Sequence, residues 1–239
     1  MLSKFISEGD KIDLQVIAHG HGENGAEQKT YYSTVYEILS DDTLEIMMPI
    51  EQNKLILLPV DSEYDVIVYG QSGLYQCAAR IIDRYKSSNV YILVLELTSN
   101  LRKYQRREYY RFSCALEMGA RNLMEEEIQH IDSKATLELQ PGLPLKRSVI
   151  VDISGGGLRF MSEQRYEPES LICCSFYLQK GGQQKKYEVV GRILAARNLD
   201  NKPGTYEHRV QFYNMNAETR EDIIKYIFEE ERKLRNTEK

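Results

Sequence analysis

Short strand-like segments separated by turn residues fill the first 97 residues, and they restrict the possible fold more than any other feature. Ile12, Leu14 and Val16 alternate with polar residues, which is the period of a half-buried strand. Similar segments follow at hairpin-length intervals, at residues 30–39, 43–48, 54–59, 64–69, 73–85 and 89–97. About seven short strands without a helical pattern predict a small antiparallel barrel.

A second β-rich region begins near residue 109. Tyr110, Phe112, Cys114 and Leu116 share one face of a new alternation, which predicts a strand that begins around Tyr109 with these residues toward a core. Further strands are predicted at residues 148–153, 158–161, 171–178, 187–196 and 206–213. Their number favours a second barrel of about six strands. Residues 119–146 have no clear pattern, and 121–131 fit either a short helix or an irregular strand.

The chain ends in a segment with helical periodicity, residues 217–235. Its apolar positions are Ile223, Ile224, Ile227, Phe228 and Leu234. This spacing predicts an amphipathic helix that packs on the second barrel, with Asn216 as its N-cap.

The predicted fold class is therefore all-β, with two small antiparallel β-barrels joined by a short basic linker and followed by the C-terminal amphipathic helix. The predicted domains are residues 1–98, a linker at 99–108, and 109–239.

Charge and composition exclude several classes of function. The 239 residues carry a net charge of -5, so the surface as a whole does not attract a nucleic acid polymer. The N-terminus has no apolar signal core, and no apolar run approaches the roughly 20 residues of a membrane span, which predicts a cytoplasmic protein without membrane insertion.

Four cysteines lack metal-ligand spacing and are predicted to be reduced, buried thiols: Cys77, Cys114, Cys173 and Cys174. The pair His19 and His21 favours a hairpin tip over a metal site, since no third ligand is placed beside it.

A basic stretch at residues 101–112 contains five Lys or Arg residues and one Glu, and it stands out in an acidic chain. Arg-x-x-x-Arg occurs three times among the 16 arginines, at 80/84, 102/106 and 107/111, so the spacing alone says little. Only Arg107 and Arg111 follow another arginine, Arg106, and lead directly into the first strand of a new domain. A solvated linker is the usual meaning of such a charge run.

A second motif lies about 45 residues further on. Residues 152–157 fit Asp-x-Ser-x-x-Gly between two predicted strands, with Asp152, Ser154 and Gly157 at the fixed positions. Alone, this pattern would be read as a hairpin turn with a local side-chain cap. The joint occurrence of both motifs in this order is far more specific than either one.

Together, the two motifs resemble the PilZ domain, and the preceding β-rich region resembles the N-terminal domain of YcgR-like flagellar brake proteins. The resemblance extends over nearly the whole chain. It implies that Arg107, Arg111, Asp152, Ser154 and Gly157 bind the second messenger cyclic di-GMP. It further implies that Arg106 accompanies binding of an intercalated cyclic di-GMP dimer, with no other cofactor. Residues expected in an outer shell are Arg102, Tyr104, Gly156 and Arg159.

The chemistry of this ligand matches these residue types. Arginine offers a planar fork that grips a phosphate or the O6/N7 edge of guanine, and the same plane stacks on a purine. Asp152 can accept from the guanine N1 and N2 donors, Ser154 can bond a phosphate or base, and Gly157 lets backbone approach closely.

The expected function is a non-catalytic receptor that changes its interdomain arrangement on binding. Residues 101–105 are expected to supply the freedom that binding removes. The resemblance implies a partner in the flagellar motor, at its rotor or stator, with recruitment to the motor base. Alternatives are a PilZ effector of exopolysaccharide production or another target, and a β-barrel that binds single-stranded nucleic acid. An enzyme is disfavoured, because no HExxH, GxSxG, P-loop or helix-opening GxGxxG motif occurs.

Overall fold

The computed structural model of the chain describes residues 2–17, 29–132 and 139–237, apart from the side chains of His130 and Asp132. The chain divides into two compact units between Arg106 and Arg107. The predicted hairpin tip with His19 and His21 lies outside the described residues.

The first unit is a closed six-stranded antiparallel barrel with a short hairpin beside it. A 3-10 turn at Leu2–Lys4 precedes the strands. The strands are β1 (Lys11–Val16), β2 (Thr30–Ile38), β3 (Thr43–Met47), β4 (Ile50–Glu51), β5 (Lys54–Leu55), β6 (Glu63–Gly70), β7 (Gly73–Ser87), β8 (Val90–Leu97) and β9 (Arg102–Lys103). The barrel order is β6-β1-β2-β3-β8-β7, and pairing of β6 with β7 closes the ring.

The predicted strand at 54–59 is wrong as a barrel strand. Only Lys54 and Leu55 pair, with β4, across a turn whose Gln52 and Asn53 have φ values of 48° and 61°. Residues 54–59 lack the alternation of a barrel strand, and Pro59 has no N–H to donate to a ladder. Leu58 is nevertheless buried in the core of the first barrel.

The predicted linker at 99–108 includes a short strand. Strand β9 pairs with Tyr75 and Gln76 of β7, and Leu101 packs against the first core. The backbone N–H of Tyr104 also donates to the carbonyl oxygen of Leu74 at 2.8 Å. Residues 101–104 are therefore attached to the first unit, in contrast to the free segment expected from the sequence.

The second unit is also a closed six-stranded antiparallel barrel, in the order β10-β11-β12-β15-β14-β13. Its elements are β10 (Phe112–Asn122), α1 (Glu125–Asp132), β11 (Lys146–Ser154), β12 (Gly157–Ser162), β13 (Leu171–Lys180), β14 (Gln183–Asn198), β15 (Tyr206–Phe212) and α2 (Ala217–Thr237). The prediction of two barrels and a C-terminal helix is confirmed. The unassigned region contains the end of β10 and the helix α1.

Strand β10 begins at Phe112, three residues later than predicted. Phe112 is buried, and Cys114 and Leu116 pack against the same core, as predicted for these three residues. Tyr110 does not share this face, because it precedes the strand, and its side chain is 54% exposed.

Helix α2 packs on the second barrel through its first half. The Asn216 side chain caps it by accepting from the N–H of Thr219 at 2.7 Å, and Ile223 and Ile227 are buried. Phe228 and Leu234 were predicted on the buried stripe, yet they are 56% and 53% exposed. The buried aromatic residue is instead Tyr226, whose ring meets Phe112 edge-on with centroids 6.5 Å apart. Neither described helix has the length and apolarity that crossing a bilayer would require.

A buried carboxylate fixes the start of α2. Asp222 accepts from Lys180, Lys185 and Tyr187 at 2.6 to 3.1 Å. These hydrogen bonds, led by that from Lys180, lower the pKa of Asp222 to about 2. The helix is thereby attached to the β13–β14 hairpin by charge as well as by apolar contact.

Candidate functional site

The hairpin between β11 and β12 presents the second motif. Ser154 pairs with Gly157, so Gly155 and Gly156 form a two-residue turn at the hairpin tip. The Ser154 hydroxyl donates to the carbonyl oxygen of Gly157 at 3.0 Å. A side chain at Gly157 would overlap the backbone carbonyl of Val210 on β15. Packing of the neighbouring strand is therefore sufficient to require glycine at position 157.

Asp152 is held by Arg159 from the next strand. Arg159 Nε donates to Asp152 Oδ2 at 2.6 Å, and its Nη1 donates to Glu207 Oε2 at 2.8 Å. Arg197 binds the other oxygen of Glu207 at 3.2 Å. Arg159, predicted in an outer shell, thus directly contacts the motif carboxylate and fixes its orientation. Such charge-assisted bonds are stronger than neutral ones and are suited to holding a recognition group in place.

Tyr109 connects the two motifs. It lies between Arg107 and Arg111 in sequence, and its ring covers the hairpin turn so closely that a Cβ on Gly155 would lie 2.5 Å from Tyr109 Cδ1. A Cβ on Gly156 would lie 3.1 Å from Cδ2. The arginine segment is therefore seated on the Asp-x-Ser-x-x-Gly hairpin within one structural unit.

Arg220 of α2 secures this contact, and sequence reasoning missed it. Its Nη1 donates to the Tyr109 hydroxyl and to the carbonyl oxygen of Gly155, both at 3.1 Å. Its guanidinium also lies 5.4 Å from the centroid of the Tyr109 ring. The only sequence signal is that Arg220 precedes Ile224 by one helical turn on the packed side of α2. That signal gains meaning only when Tyr109 is known to lie there.

The three motif arginines are exposed but belong to different units. Arg107 and Arg111 begin the second unit, together with Asp152, Ser154 and Gly157. Arg106 ends the first unit, where its Nη1 donates to the Tyr69 hydroxyl at 3.0 Å and its guanidinium lies 5.4 Å from the Tyr69 ring centroid.

The other residues predicted in an outer shell also lie on different units. Arg102 donates to the side chain of Gln76 at 3.2 Å, and Tyr104 is bonded to Leu74 through its backbone, both on the first barrel. Gly156 accepts from the N–H of Phe212 at 3.0 Å on the second. Only Arg159 and Gly156 of this group lie on the motif hairpin.

The chemistry around the hairpin is that of charge and hydrogen bonding. Burial, with the nearby Asp152, raises the pKa of the Cys114 thiol to about 11, so the thiol stays protonated at neutral pH. All four cysteines are free thiols; Cys77, Cys173 and Cys174 are buried, as predicted, whereas Cys114 is only half-buried. Across the described residues, no three His, Cys, Asp or Glu side chains converge in a way that could hold a metal ion.

Comparison with known proteins divides the chain into nearly the same two regions as the two structural units. Residues 7–97 match a family described as flagellar protein YcgR, and residues 105–229 match the PilZ domain family. A search of curated proteins finds no match.

Two solved structures are similar over most of their length. The Bacillus subtilis inhibitor of motility MotI/DgrA is 18% identical with a TM-score of 0.71, covering 95% of this chain and 98% of its own. YcgR in complex with c-di-GMP from Escherichia coli is 13% identical with a TM-score of 0.45, covering 96% and 87%. The first of these shares the two-barrel fold. Because the PilZ match alone spans more than half of the residues, the chain belongs to the PilZ domain family, with an N-terminal domain of the YcgR type.

Proposed function

We propose that this protein is a non-catalytic receptor for cyclic di-GMP. One observation carries the proposal: Tyr109 seats the Arg107–Arg111 segment on the turn of the hairpin that bears Asp152 and Ser154. Motifs 45 residues apart in sequence are thus joined in one unit, as a shared ligand site requires. Membership of the PilZ domain family supports the same ligand.

Each part of the ligand has a matching group in this arrangement. Arg107 and Arg111 are exposed forks that can grip phosphate or guanine and stack on a purine. Asp152, oriented by Arg159, can accept from guanine N1 and N2 donors. The carboxylate and the guanidinium groups would thus read donor and acceptor groups of the same base.

We further propose that two messengers bind as an intercalated dimer and that Arg106 is needed for the second. Arg106 is adjacent in sequence to Arg107 and carries an exposed guanidinium, so it can add a third cation to a ligand with four phosphates. Arg106→Ala should then lower the stoichiometry toward one messenger per chain in calorimetry. Unchanged two-to-one binding would remove this role from Arg106.

Calorimetric titration with cyclic di-GMP tests the receptor function. Loss of one charge-assisted fork, in Arg111→Ala, should weaken binding by about 10- to 100-fold, and Asp152→Asn should weaken it similarly. The matched control is Arg84→Ala, because Arg80 and Arg84 have the same spacing but lie on the first barrel. Arg84→Ala should bind like wild type. Absence of binding by wild-type protein refutes the receptor function.

For the output, we propose that binding changes the interdomain arrangement and regulates motility through the flagellar motor. The N-terminal domain of YcgR type and the fold shared with a protein described as an inhibitor of motility support this choice. Small-angle scattering should change on ligand addition. Rotor or stator proteins should be retained by immobilised wild type with cyclic di-GMP and not by Arg107→Ala/Arg111→Ala. Retention by both forms alike would contradict a ligand-controlled motor function.

A further inference from the structure

We propose that Tyr69 holds Arg106 on the first barrel in the ligand-free protein and so sets the messenger concentration at which Arg106 joins the site. The inference rests on the proposed function, because it concerns the availability of one of the ligand-binding arginines. Tyr69 belongs to neither motif and lies 37 residues before Arg106.

A directed chain of hydrogen bonds connects Arg106 to a buried carboxylate. The Tyr69 hydroxyl donates its single proton to Asp13 Oδ2 at 2.6 Å. The Tyr69 oxygen is then an acceptor, and Arg106 Nη1 donates to it at 3.0 Å. Asp13 is only 9% exposed. Hydrogen bonds arranged in this way polarise one another, so the carboxylate strengthens the contact of the phenol with the arginine.

The ionisation of Tyr69 is consistent with this role. Burial and the hydrogen bond to Asp13 raise its pKa, while Arg106 acts in the opposite direction. At neutral pH Tyr69 is therefore a phenol, able to donate to Asp13 and accept from Arg106 at the same time. The sheet also favours the arrangement, since Asp13 pairs with Ile67, two residues before Tyr69 on the same face of the barrel.

A second connection of the same kind anchors the preceding residues. Arg102 donates to Gln76 at 3.2 Å, and the Gln76 amide in turn donates to Asp65. Strand β9 and the bond from Tyr104 to Leu74 attach the backbone between the two arginines. Arg102 and Arg106 are therefore both attached to the first barrel through a neutral side chain backed by a carboxylate.

The contact with Tyr69 uses the same features of Arg106 that a nucleotide would use. The hydroxyl takes an Nη1 donor, and the ring lies against the guanidinium at 5.4 Å. A phosphate fork needs paired donors, and stacking on a purine needs the planar face. Because Arg106 is exposed, the contact is weak enough for the ligand to displace it.

Removing the acceptor should therefore tighten binding of the messenger. In full-length Tyr69→Phe, which keeps the ring, we expect the Kd of the binding step that Arg106→Ala weakens to fall by about 3- to 10-fold, the range for one net hydrogen bond. Tyr69→Leu, which also removes the ring, should tighten this step at least as much. In the Arg106→Ala background, Tyr69→Phe should change nothing. A gain in affinity that vanishes with Arg106 is not the effect of a damaged fold.

Gln76→Leu is the matched control, since it removes the corresponding side chain beneath Arg102 and leaves Tyr69 intact. It should not tighten the Arg106-dependent step. An equal gain in Gln76→Leu would show that general release of the segment is responsible and would overturn the role of Tyr69. Unchanged or weaker binding by Tyr69→Phe would overturn it as well.

A measurement without ligand separates this inference from the receptor function. With 13C-labelled tyrosine, the Tyr69 resonance is assigned from Tyr69→Phe, and Arg106→Ala should raise the Tyr69 pKa because a nearby cation is lost. An unchanged Tyr69 pKa overturns the contact even if the messenger binds. A shifted pKa with no binding of cyclic di-GMP by wild type would instead refute the receptor function, and the regulatory role of Tyr69 with it.

Discussion

Each motif residue on the hairpin already has a structural partner in the protein itself. Asp152 is bonded to Arg159, Ser154 to the carbonyl of Gly157, and Gly157 packs against the backbone of Val210. The sequence analysis found the motif residues but explained Gly157 by a close approach between the backbone and the ligand. A glycine required by strand packing and one required by a ligand look the same in a sequence, because both reflect the absence of space for a Cβ.

His208 is the residue most sensitive to acid within the second core. It is fully buried, stacks on Phe160 at 4.6 Å, and accepts from the N–H of Tyr166 through Nε2 at 3.0 Å. Burial, helped by Arg165, lowers its pKa to about 4. The unfolded chain binds the proton near pH 6.5 and the folded chain does not, so stability falls as the pH is lowered from 6.5 toward 4.

The expected contribution of His208 is about 2 to 3 kcal/mol over this range, from 1.36 kcal/mol for each unit of pKa difference. Urea unfolding of wild type and His208→Gln at pH 7 and pH 4.5 measures it. Glutamine does not titrate, so the variant should lose less stability between the two pH values. An equal loss in both proteins would contradict a buried neutral His208.

At the level of elements, alternation predicted most strands well, and the errors have physical causes. Residues 55–58 are all apolar, and an apolar run does not distinguish a strand from an irregular segment that buries one side chain such as Leu58. The second half of α2 repeats the helical spacing, but the helix continues after its contact with the barrel, which leaves Phe228 and Leu234 exposed. Periodicity indicates which face is apolar and not how far the neighbouring element extends.

Helix α2 should influence ligand binding although none of its residues was predicted in the site. Arg220→Ala removes two hydrogen bonds that hold Tyr109 on the hairpin turn, so the arginine segment loses its position. We expect the Kd for cyclic di-GMP to rise by about 10-fold, as for the loss of one to two net hydrogen bonds. Calorimetry measures the Kd, and thermal unfolding checks that the fold is retained.

Arg232→Ala is the matched control, since Arg232 is an exposed arginine on the same helix. It should bind the messenger like wild type. Arg220→Lys should recover part of the affinity, because one amine can replace one of the two bonds. Wild-type affinity in Arg220→Ala would show that Tyr109 keeps its position without α2.

For the whole molecule, two barrels, the terminal helix and both motifs could be predicted from local patterns and a family resemblance. The contacts that organise the site could not. Arg220 and Tyr109 are separated by 111 residues, and Arg106 and Tyr69 by 37. No local pattern links such pairs, because their meeting depends on how complete strands and helices pack. The sequence therefore located both motifs but not the residues that contact them in the folded protein.

The position of the boundary between the two units has a consequence for how such proteins can be recombined. It falls between Arg106 and Arg107, inside a run of adjacent arginines. A gene fusion that transfers the second barrel from Arg107 onward would carry Arg107, Arg111 and the whole hairpin, but it would leave Arg106 with the donor protein. The receiving protein would then carry both motifs without Arg106, and its own last segment would supply the residue before Arg107. With the role proposed above for Arg106, exchange at this junction would change the dose response to the messenger in one step without altering either barrel.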